Sequence, residues 1–319
     1  MKFNTYASAL DGKYRLDLTE TGEMLIGKYP RDVQNVHFSL GLTCNFRCGH
    51  CPVSNSRAKI VRKYEAKSSE LGVDLGDPTV WTDPELVKAS LGIFPNVEQI
   101  GLGCGGGEPT LHPRYEEIIN ISTDFFAAKA PKGEEIRPDQ RLFWWTKPYE
   151  YGLSQKRVVD VHKGGRVVLL TNATGLPQER TTLKDYLLRH PGVTFEVSYD
   201  GFHEANYRRL GLDFGRMIAT LNELAGDTQV QNAGVQVYLF HVGNESIVEI
   251  ERAFPHCLVN TSNVVEVSPD RPPVMERISR GPHERHAILD SQGNVFHTMN
   301  DVYSANLDYL CGKVRKVET

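Results

Sequence analysis

Cysteine is scarce in this chain, and long apolar runs are missing altogether. Only six of its 319 residues are cysteine, far below the density of a small secreted domain stapled by disulfides. No stretch approaches the roughly 18 consecutive apolar residues of a transmembrane helix. The opening "MKFNTYASALDGKYRLDLTE" has no apolar core of the kind that marks a signal peptide. These absences predict a cytoplasmic protein with no membrane partner. There thiols stay reduced, and clustered cysteines bind metal or do chemistry. An excess of positive charge is lacking too: 36 Lys and Arg stand against 40 Asp and Glu, a net charge of −4. That excludes an overall basic field for nucleic acid. There is no internal repeat, and the length suits one large α/β domain or two small ones.

What the chain does contain is alternation. Residues 36–40, 97–103, 166–171, 193–199, 235–240 and 264–268 are rich in β-branched or aromatic residues and flanked by Gly, Asn or Pro. Helical patterns fall between them. One opens at Pro113 with Tyr115, Ile118, Ile119 and Phe126 on one side. Thr181 or Thr182 caps "LKDYLLRH", a third helix follows Asp213, and Asn244 caps "ESIVEIERAF". Six strands alternating with helices predict an α/β fold with a parallel sheet, either a curved sheet closing into a partial (β/α)6 barrel or a doubly wound open sheet. In both, ligands sit at the carboxyl ends of the strands. Residues 1–34 read as a short N-terminal hairpin with Gly12 and Gly22 in turns, 35–270 as the core, and 271–319 as a C-terminal extension. In the extension the parallel pattern ends and "HAILDSQGNVFHT" forms an antiparallel hairpin turning near Gly293. Residues 129–164 form a polar insertion with Trp144, Trp145, Tyr149 and Tyr151 interleaved with Arg141 and Lys147. It is either a surface excursion pinned by aromatic packing or a lid.

Three of the six cysteines stand together in "LTCNFRCGHC": Cys44, Cys48 and Cys51, spaced Cys-x-x-x-Cys-x-x-Cys. Structural zinc takes four ligands, generally from two paired half-sites, and no second Cys-x-x-Cys exists here. His50 could supply a fourth ligand, but neighbouring residues rarely both reach one tetrahedral ion. Three thiolates on one tight loop suit three corners of a [4Fe–4S] cluster, which ordinarily takes four. The missing fourth ligand leaves one iron open.

This spacing, just after the first core strand, resembles the signature of the radical SAM superfamily. The resemblance implies one [4Fe–4S] cluster on Cys44, Cys48 and Cys51, with S-adenosyl-L-methionine chelated at the open iron. One electron then cleaves it to a 5′-deoxyadenosyl radical, which abstracts a substrate hydrogen. His50 stands where the family commonly has an aromatic residue near the adenine. "GGGEPTLHP" resembles the Gly-Gly-Glu-Pro turn that holds the methionyl amino group, giving that role to Gly106, Gly107, Glu108 and Pro109. Two glycines suit close backbone approach, and Glu108 can accept from an ammonium group. "LLTNATG" resembles the family's Thr-Asn-Gly turn at Thr171 and Asn172, with Ala173 and Thr174 inserted before Gly175. In "EVSYDG", Ser198 and Asp200 resemble residues lining the nucleoside and substrate side, although Asp200 before Gly201 also suits a plain turn. "VYLFH" is where family backbone supports the adenine. The family fold is a partial (β/α)6 barrel, and the motifs span residues 36–241.

The tail resembles the hairpin of SPASM or Twitch extensions, which bind further clusters, but His297 and Thr298 stand where a cysteine is expected. Only Cys104, Cys257 and Cys311 remain, too few for a four-thiolate site, so a single cluster is expected. Each of the three is either an inert buried thiol or a hydrogen-atom donor of the kind radical SAM epimerases use, with Cys311 first and Cys104 second. His112, His203, His241 and His297 are either proton acceptors or ordinary polar residues. The resulting expectation is a radical SAM enzyme epimerising a small-molecule or natural-product intermediate, such as a sugar or aminoglycoside-type compound. It would be reduced by a partner such as flavodoxin or ferredoxin. The alternatives are a ribosomal-peptide-modifying enzyme, a radical SAM dehydrogenase, and a non-enzymatic iron–sulfur electron carrier.

Overall fold

The computed structural model describes residues 4–9, 12–20, 22, 33–49, 51, 53–54, 56–103, 106–129, 165–199, 201–241, 247–261, 264–265, 274–275, 286–296, 302 and 307–317. Strands β1 (Asn4–Ala9) and β2 (Tyr14–Leu18) form an antiparallel hairpin, with Gly12 in its turn at φ +83°. The core begins with β3 (Asn35–Phe38) and runs through α1 (Arg57–Leu71), α2 (Pro84–Ile93), β4 (Gln99–Leu102) and α3 (Tyr115–Lys129). It continues with β5 (Arg166–Thr171), α4 (Arg180–Arg189), β6 (Val193–Tyr199), α5 (Gly201–Arg209), α6 (Phe214–Ala225) and α7 (Thr228–Asn232). Then come β7 (Gln236–His241), α8 (Ile247–Ala253) and β8 (Leu258–Thr261). Short β9 (Val264–Val265) and β10 (Val274–Met275) pair with each other. Strands β11 (His286–Leu289), β12 (Asn294–Phe296) and β13 (Gly312–Lys316) end the chain.

Eleven strands join in one mixed sheet, ordered β1-β2-β13-β12-β11-β3-β4-β5-β6-β7-β8. From β11 to β8 every neighbouring pair is parallel. The fold is therefore α/β, as the alternation of patterns predicts.

Pleating separates the two faces of the parallel strands. Val36, Phe38, Ile100, Leu102, Val167, Leu169, Phe195, Val197, Val237 and Leu239 are buried and share one core with Ile118, Ile119, Leu183, Leu187, Met217 and Leu221 of the helices. The opposite face is mixed: it carries Asn35, His37, Gln99, Arg166, Thr194, Glu196, Ser198, Gln236 and Tyr238 together with Val168, Leu170 and Phe240, aligned across the strands by register.

Local signals place several boundaries. Asp83 caps α2, accepting from the Glu85 N–H, with Pro84 at the first helical position. Asp213 caps α6 through the Arg216 N–H, and Asp227 caps α7. Helix α4 departs from expectation. It starts at Arg180 with Glu179 as the flanking residue, so Thr181 and Thr182 lie exposed in its first turn and cap nothing. Asn244 lies outside the described residues.

Two strand expectations are corrected. The sixth core strand is β8 at Leu258–Thr261, whereas Val264–Val265 belongs to the small antiparallel pair. Helix α8 ends at Ala253, and the short turn after it delivers the chain straight to the sheet edge. The parallel pattern also does not end with the C-terminal extension. The β11–β12 hairpin forms, with Gly293 at φ +80°, but β11 lies parallel to β3 and extends the parallel region. Strand β13 then pairs with β2, so both chain ends join the core sheet. Of the insertion, Lys129 closes α3 and donates to the Val97 carbonyl. Residues 130–164 lie outside the described residues, and with them the lid expectation.

Candidate functional site

The cysteine, glycine and asparagine motifs lie at the carboxyl ends of parallel strands, "VYLFH" lies within β7, and four strand-end segments are tied together. Beyond β3, residues 41–51 carry the three clustered cysteines. Cys48 is buried, and Cys44 and Cys51 are half-buried. The Cys51 N–H donates to the Cys48 carbonyl at 3.0 Å, and the Ser54 hydroxyl donates to the carbonyls of Cys48 and Cys51. These bonds wind the segment into a tight turn.

Beyond β4, Gly106 and Gly107 take φ of +118° and +76°. A side chain on Gly107 would strike the Gly41 carbonyl oxygen at 1.9 Å, and the Glu108 N–H donates to the Thr43 carbonyl at 2.8 Å. The two loops thus touch backbone to backbone at Gly41 and Gly107, with the side chains of Leu42 and Val53 against Gly106. Glu108 itself is fully buried. Its Oε1 accepts from the Thr110 N–H (3.1 Å), the Thr110 hydroxyl (2.5 Å) and the Thr171 hydroxyl (2.6 Å), and its Oε2 accepts from the Asn172 N–H (2.6 Å). Burial holds its carboxyl above the ordinary range, and these hydrogen bonds oppose the shift. The expected contact to an ammonium group is thus preceded by structural work: Glu108 ties the β4 turn to the β5 turn. Pro109 opens the 3-10 turn Pro109–Leu111 behind it.

Beyond β5, Asn172 bridges back to the cysteine loop. Its Oδ1 accepts from the Thr174 N–H (3.0 Å) and hydroxyl (2.5 Å). Its Nδ2 donates to Asn45 Oδ1 (3.0 Å) and to the Cys44 sulfur (3.8 Å). Asn45 Nδ2 in turn donates to the Thr174 hydroxyl at 2.9 Å. Ala173, between them, is buried at φ +61°, a left-handed conformation that favours glycine. Ala173 therefore holds by conformation the place a glycine would take directly after Asn172.

Helix α5, beyond β6, supplies the fourth contact. The Tyr207 hydroxyl donates to the Asn172 carbonyl at 2.7 Å, and Phe46 packs edge-on against the rings of His203 and Tyr207. Asn206 accepts the Arg47 N–H on Oδ1 at 3.4 Å and donates from Nδ2 to the Cys48 sulfur at 3.5 Å. The Cys44 sulfur also accepts the Phe46 N–H at 3.3 Å. Burial pushes the Cys44 thiol up to about 11.

Among the described residues, no group of three or more His, Cys, Asp or Glu side chains is gathered to hold a metal ion. A [4Fe–4S] cluster poses a different geometric demand, because each thiolate takes its own iron at a separate corner. The chemistry of the donor set suits a cluster: three thiols lie on one turn, and the sulfurs of Cys44 and Cys48 already accept N–H donors, as ligating thiolates do.

The remaining predicted residues are scattered. Ser198 is half-buried near the end of β6, opposite Phe240. His50, Cys104, Asp200, His297 and Thr298 lie outside the described residues, as does the side chain of His241. Cys257 and Cys311 are buried in the main core, and burial pushes the Cys257 thiol up to about 12. Cys311 sits just before β13. Its N–H donates to the Val295 carbonyl, and its own carbonyl accepts from Thr19. His112 is buried and fixed: Nδ1 accepts the Arg114 N–H, and Nε2 bonds the Thr82 carbonyl at 2.8 Å. That is the ordinary structural role weighed for it.

Sequence reasoning missed Asn45, Thr110, Thr174, Asn206 and Tyr207. Asn45 and Thr174 lie inside quoted motifs, where their polar side chains were a usable signal. Asn206 and Tyr207 lie on a helix whose only cue was its place after the β6 motif. In comparison with known proteins, no protein-family model matches the chain and no curated protein is significantly similar to it. No helix among the described residues is long and apolar enough to cross a membrane.

Proposed function

We propose that this chain is a radical SAM enzyme in which Cys44, Cys48 and Cys51 hold one [4Fe–4S] cluster. The observation that carries the reading is the union of four strand-end loops around the cysteine turn, with Asn172 and Asn206 donating to two of its sulfurs. When bound, the cluster would supply one electron for reductive cleavage of S-adenosylmethionine, the chemistry needed to remove a hydrogen atom from a substrate.

The chain's own residues prepare the place. Gly106 and Gly107 bring backbone close to the cysteine turn, and Glu108, held by Thr110, Thr171 and Asn172, locks that turn in position. Its Oε2, which accepts one N–H, keeps acceptor capacity for the methionyl ammonium group. The polar residues on the second face of the sheet support a partial barrel with a substrate-facing interior. A doubly wound sheet has helices on both faces, and its strands read apolar throughout. Here the second face sets Glu196, Ser198, Gln236 and Tyr238, each half-buried, among Val168, Leu170 and Phe240.

Epimerisation remains the favoured reaction, with peptide modification and dehydrogenation as alternatives. A thiol donor must reach the substrate radical. Cys257 and Cys311 are packed in the core, so Cys104, two residues before the glycine turn, becomes the first candidate. A [4Fe–4S] electron carrier is the competing class.

The deciding experiment is anaerobic reconstitution. The protein should bind about four irons and show a reduced-cluster signal that changes on adding S-adenosylmethionine, with 5′-deoxyadenosine formed. Ala at Cys44, Cys48 or Cys51 should abolish all three. A reduced, fully loaded protein that never cleaves S-adenosylmethionine is an electron carrier instead.

A further inference from the structure

Two asparagines from different parts of the fold aim their amide N–H groups at two thiols of one turn. The orientation of each amide is fixed by its other end. The Oδ1 of Asn206 takes the Arg47 N–H, so Nδ2 is the atom on the Cys48 sulfur. The Oδ1 of Asn172 takes the Thr174 N–H, so Nδ2 is the atom toward the Cys44 sulfur. Exchanging O and N in either side chain would set a carbonyl oxygen against a sulfur and leave a backbone donor facing an amine. Asn206 is 158 residues from Cys48, and Asn172 is 128 from Cys44, so folding alone creates both contacts.

We infer that Asn206 is a positioning and tuning residue for the cluster, setting its reduction potential through the hydrogen bond to Cys48. The inference rests on the functional reading above. A reduced cluster carries one more negative charge, spread partly onto its thiolate sulfurs. An N–H donor stabilises that charge more than the charge of the oxidised state, so hydrogen bonds to the sulfurs raise the potential. Asn206 is suited to this because it is 9% exposed. In such surroundings a single dipole is poorly screened by water. Asn172 is bound into the loop network through Asn45 and Thr174, so its removal disturbs more than one bond. Asn206 bonds the cysteine turn at both Arg47 and Cys48, and it is the position to test.

The test is a potentiometric titration of the reconstituted cluster, followed by electron paramagnetic resonance, without S-adenosylmethionine. Three variants are compared at equal iron content. Asn206→Leu removes the donor and should shift the midpoint to more negative values. Asn206→Asp places a carboxylate against the sulfur and should shift it further in the same direction. Asn206→Gln keeps an amide and should lie nearer the wild type than either. If Asn206→Leu fails to hold the cluster, the Asp and Gln variants carry the comparison. Fully loaded variants with the wild-type midpoint overturn this inference while leaving the functional reading intact. A wild-type protein that holds no cluster overturns both.

Discussion

The backbones of Gly41 and Gly107 meet so closely that a Cβ on Gly107 would lie 1.9 Å from the Gly41 carbonyl oxygen and 3.0 Å from that of Thr43. Both obstacles are backbone, so neither can swing aside. Gly107→Ala should therefore separate the glycine turn from the cysteine turn. The left-handed conformation alone costs about 1–2 kcal/mol, and the clash adds to it. Gly72, at φ +63° with nothing near its missing Cβ, is the control. Gly72→Ala should cost only the conformational part. Denaturant midpoints of the two variants test this, and equal losses would refute the close-contact argument.

Ala173 gives the reverse case. It is fully buried and left-handed, whereas Ala89 is fully buried within α2. Ala89→Gly should destabilise by about 1 kcal/mol through helix propensity. Ala173→Gly should cost clearly less or nothing, because relief of about 1–2 kcal/mol of left-handed strain offsets the lost methyl. Thermal unfolding of both variants decides, and a larger loss at Ala173 would contradict the backbone reading.

Asp290 predicts a pH dependence. Its carboxylate is buried where the β11–β12 hairpin meets α1, accepting from the Tyr64 hydroxyl, Asn294 Nδ2 and the N–H groups of Gln292 and Asn294. Burial raises its pKa above the ordinary 3.8, with the Asn294 bond and the Lys313 charge opposing. Within the window between the ordinary and the raised value, the folded protein keeps a proton that the unfolded chain has lost. This site's contribution to stability therefore falls as pH rises through the window and is flat above it. Urea midpoints from about pH 4 to about pH 7 should show that slope in the wild type and a shallower one in Asp290→Asn, where the raised carboxyl of Glu108 still contributes.

The spare core thiols should behave as packing groups. Cys257→Ala and Cys311→Ala each remove a buried sulfur and should cost about 1–2 kcal/mol. 5′-Deoxyadenosine formed per cluster should stay unchanged. Product analysis in deuterium oxide adds the sharper check. Failure of Cys311→Ala alone to give inverted product, at a loss of stability no larger than that of Cys257→Ala, would restore that residue as the hydrogen donor.

Much of the core was legible because its signals are local. Strands β5 and β6 occupy the residues that alternation marks, 166–171 and 193–199. Helix α6 starts where Asp213 caps it. Helix α1 left little trace, because only Ile60 and Tyr64 of its fifteen residues are buried and no apolar period shows. The sixth strand was misplaced because β8 is only Leu258–Thr261, too short for a periodic signal to outweigh the valine pair that follows. The β11–β12 turn could be read at Gly293, but nothing in "HAIL" says that its partner is β3, some 250 positions away.

The sequence by itself determined the cysteine spacing, the order of the glycine and asparagine motifs, and their position after successive strands. All of these are properties of neighbouring residues. The tertiary structure alone decided that Glu108 would spend its hydrogen bonds on Thr110, Thr171 and Asn172, that Asn206 would reach Cys48, and that Cys311 would lie in the core. Those contacts depend on which strands pair and which loops the sheet brings together. That choice is made by burying one apolar face across the whole sheet, and no short stretch of sequence carries it.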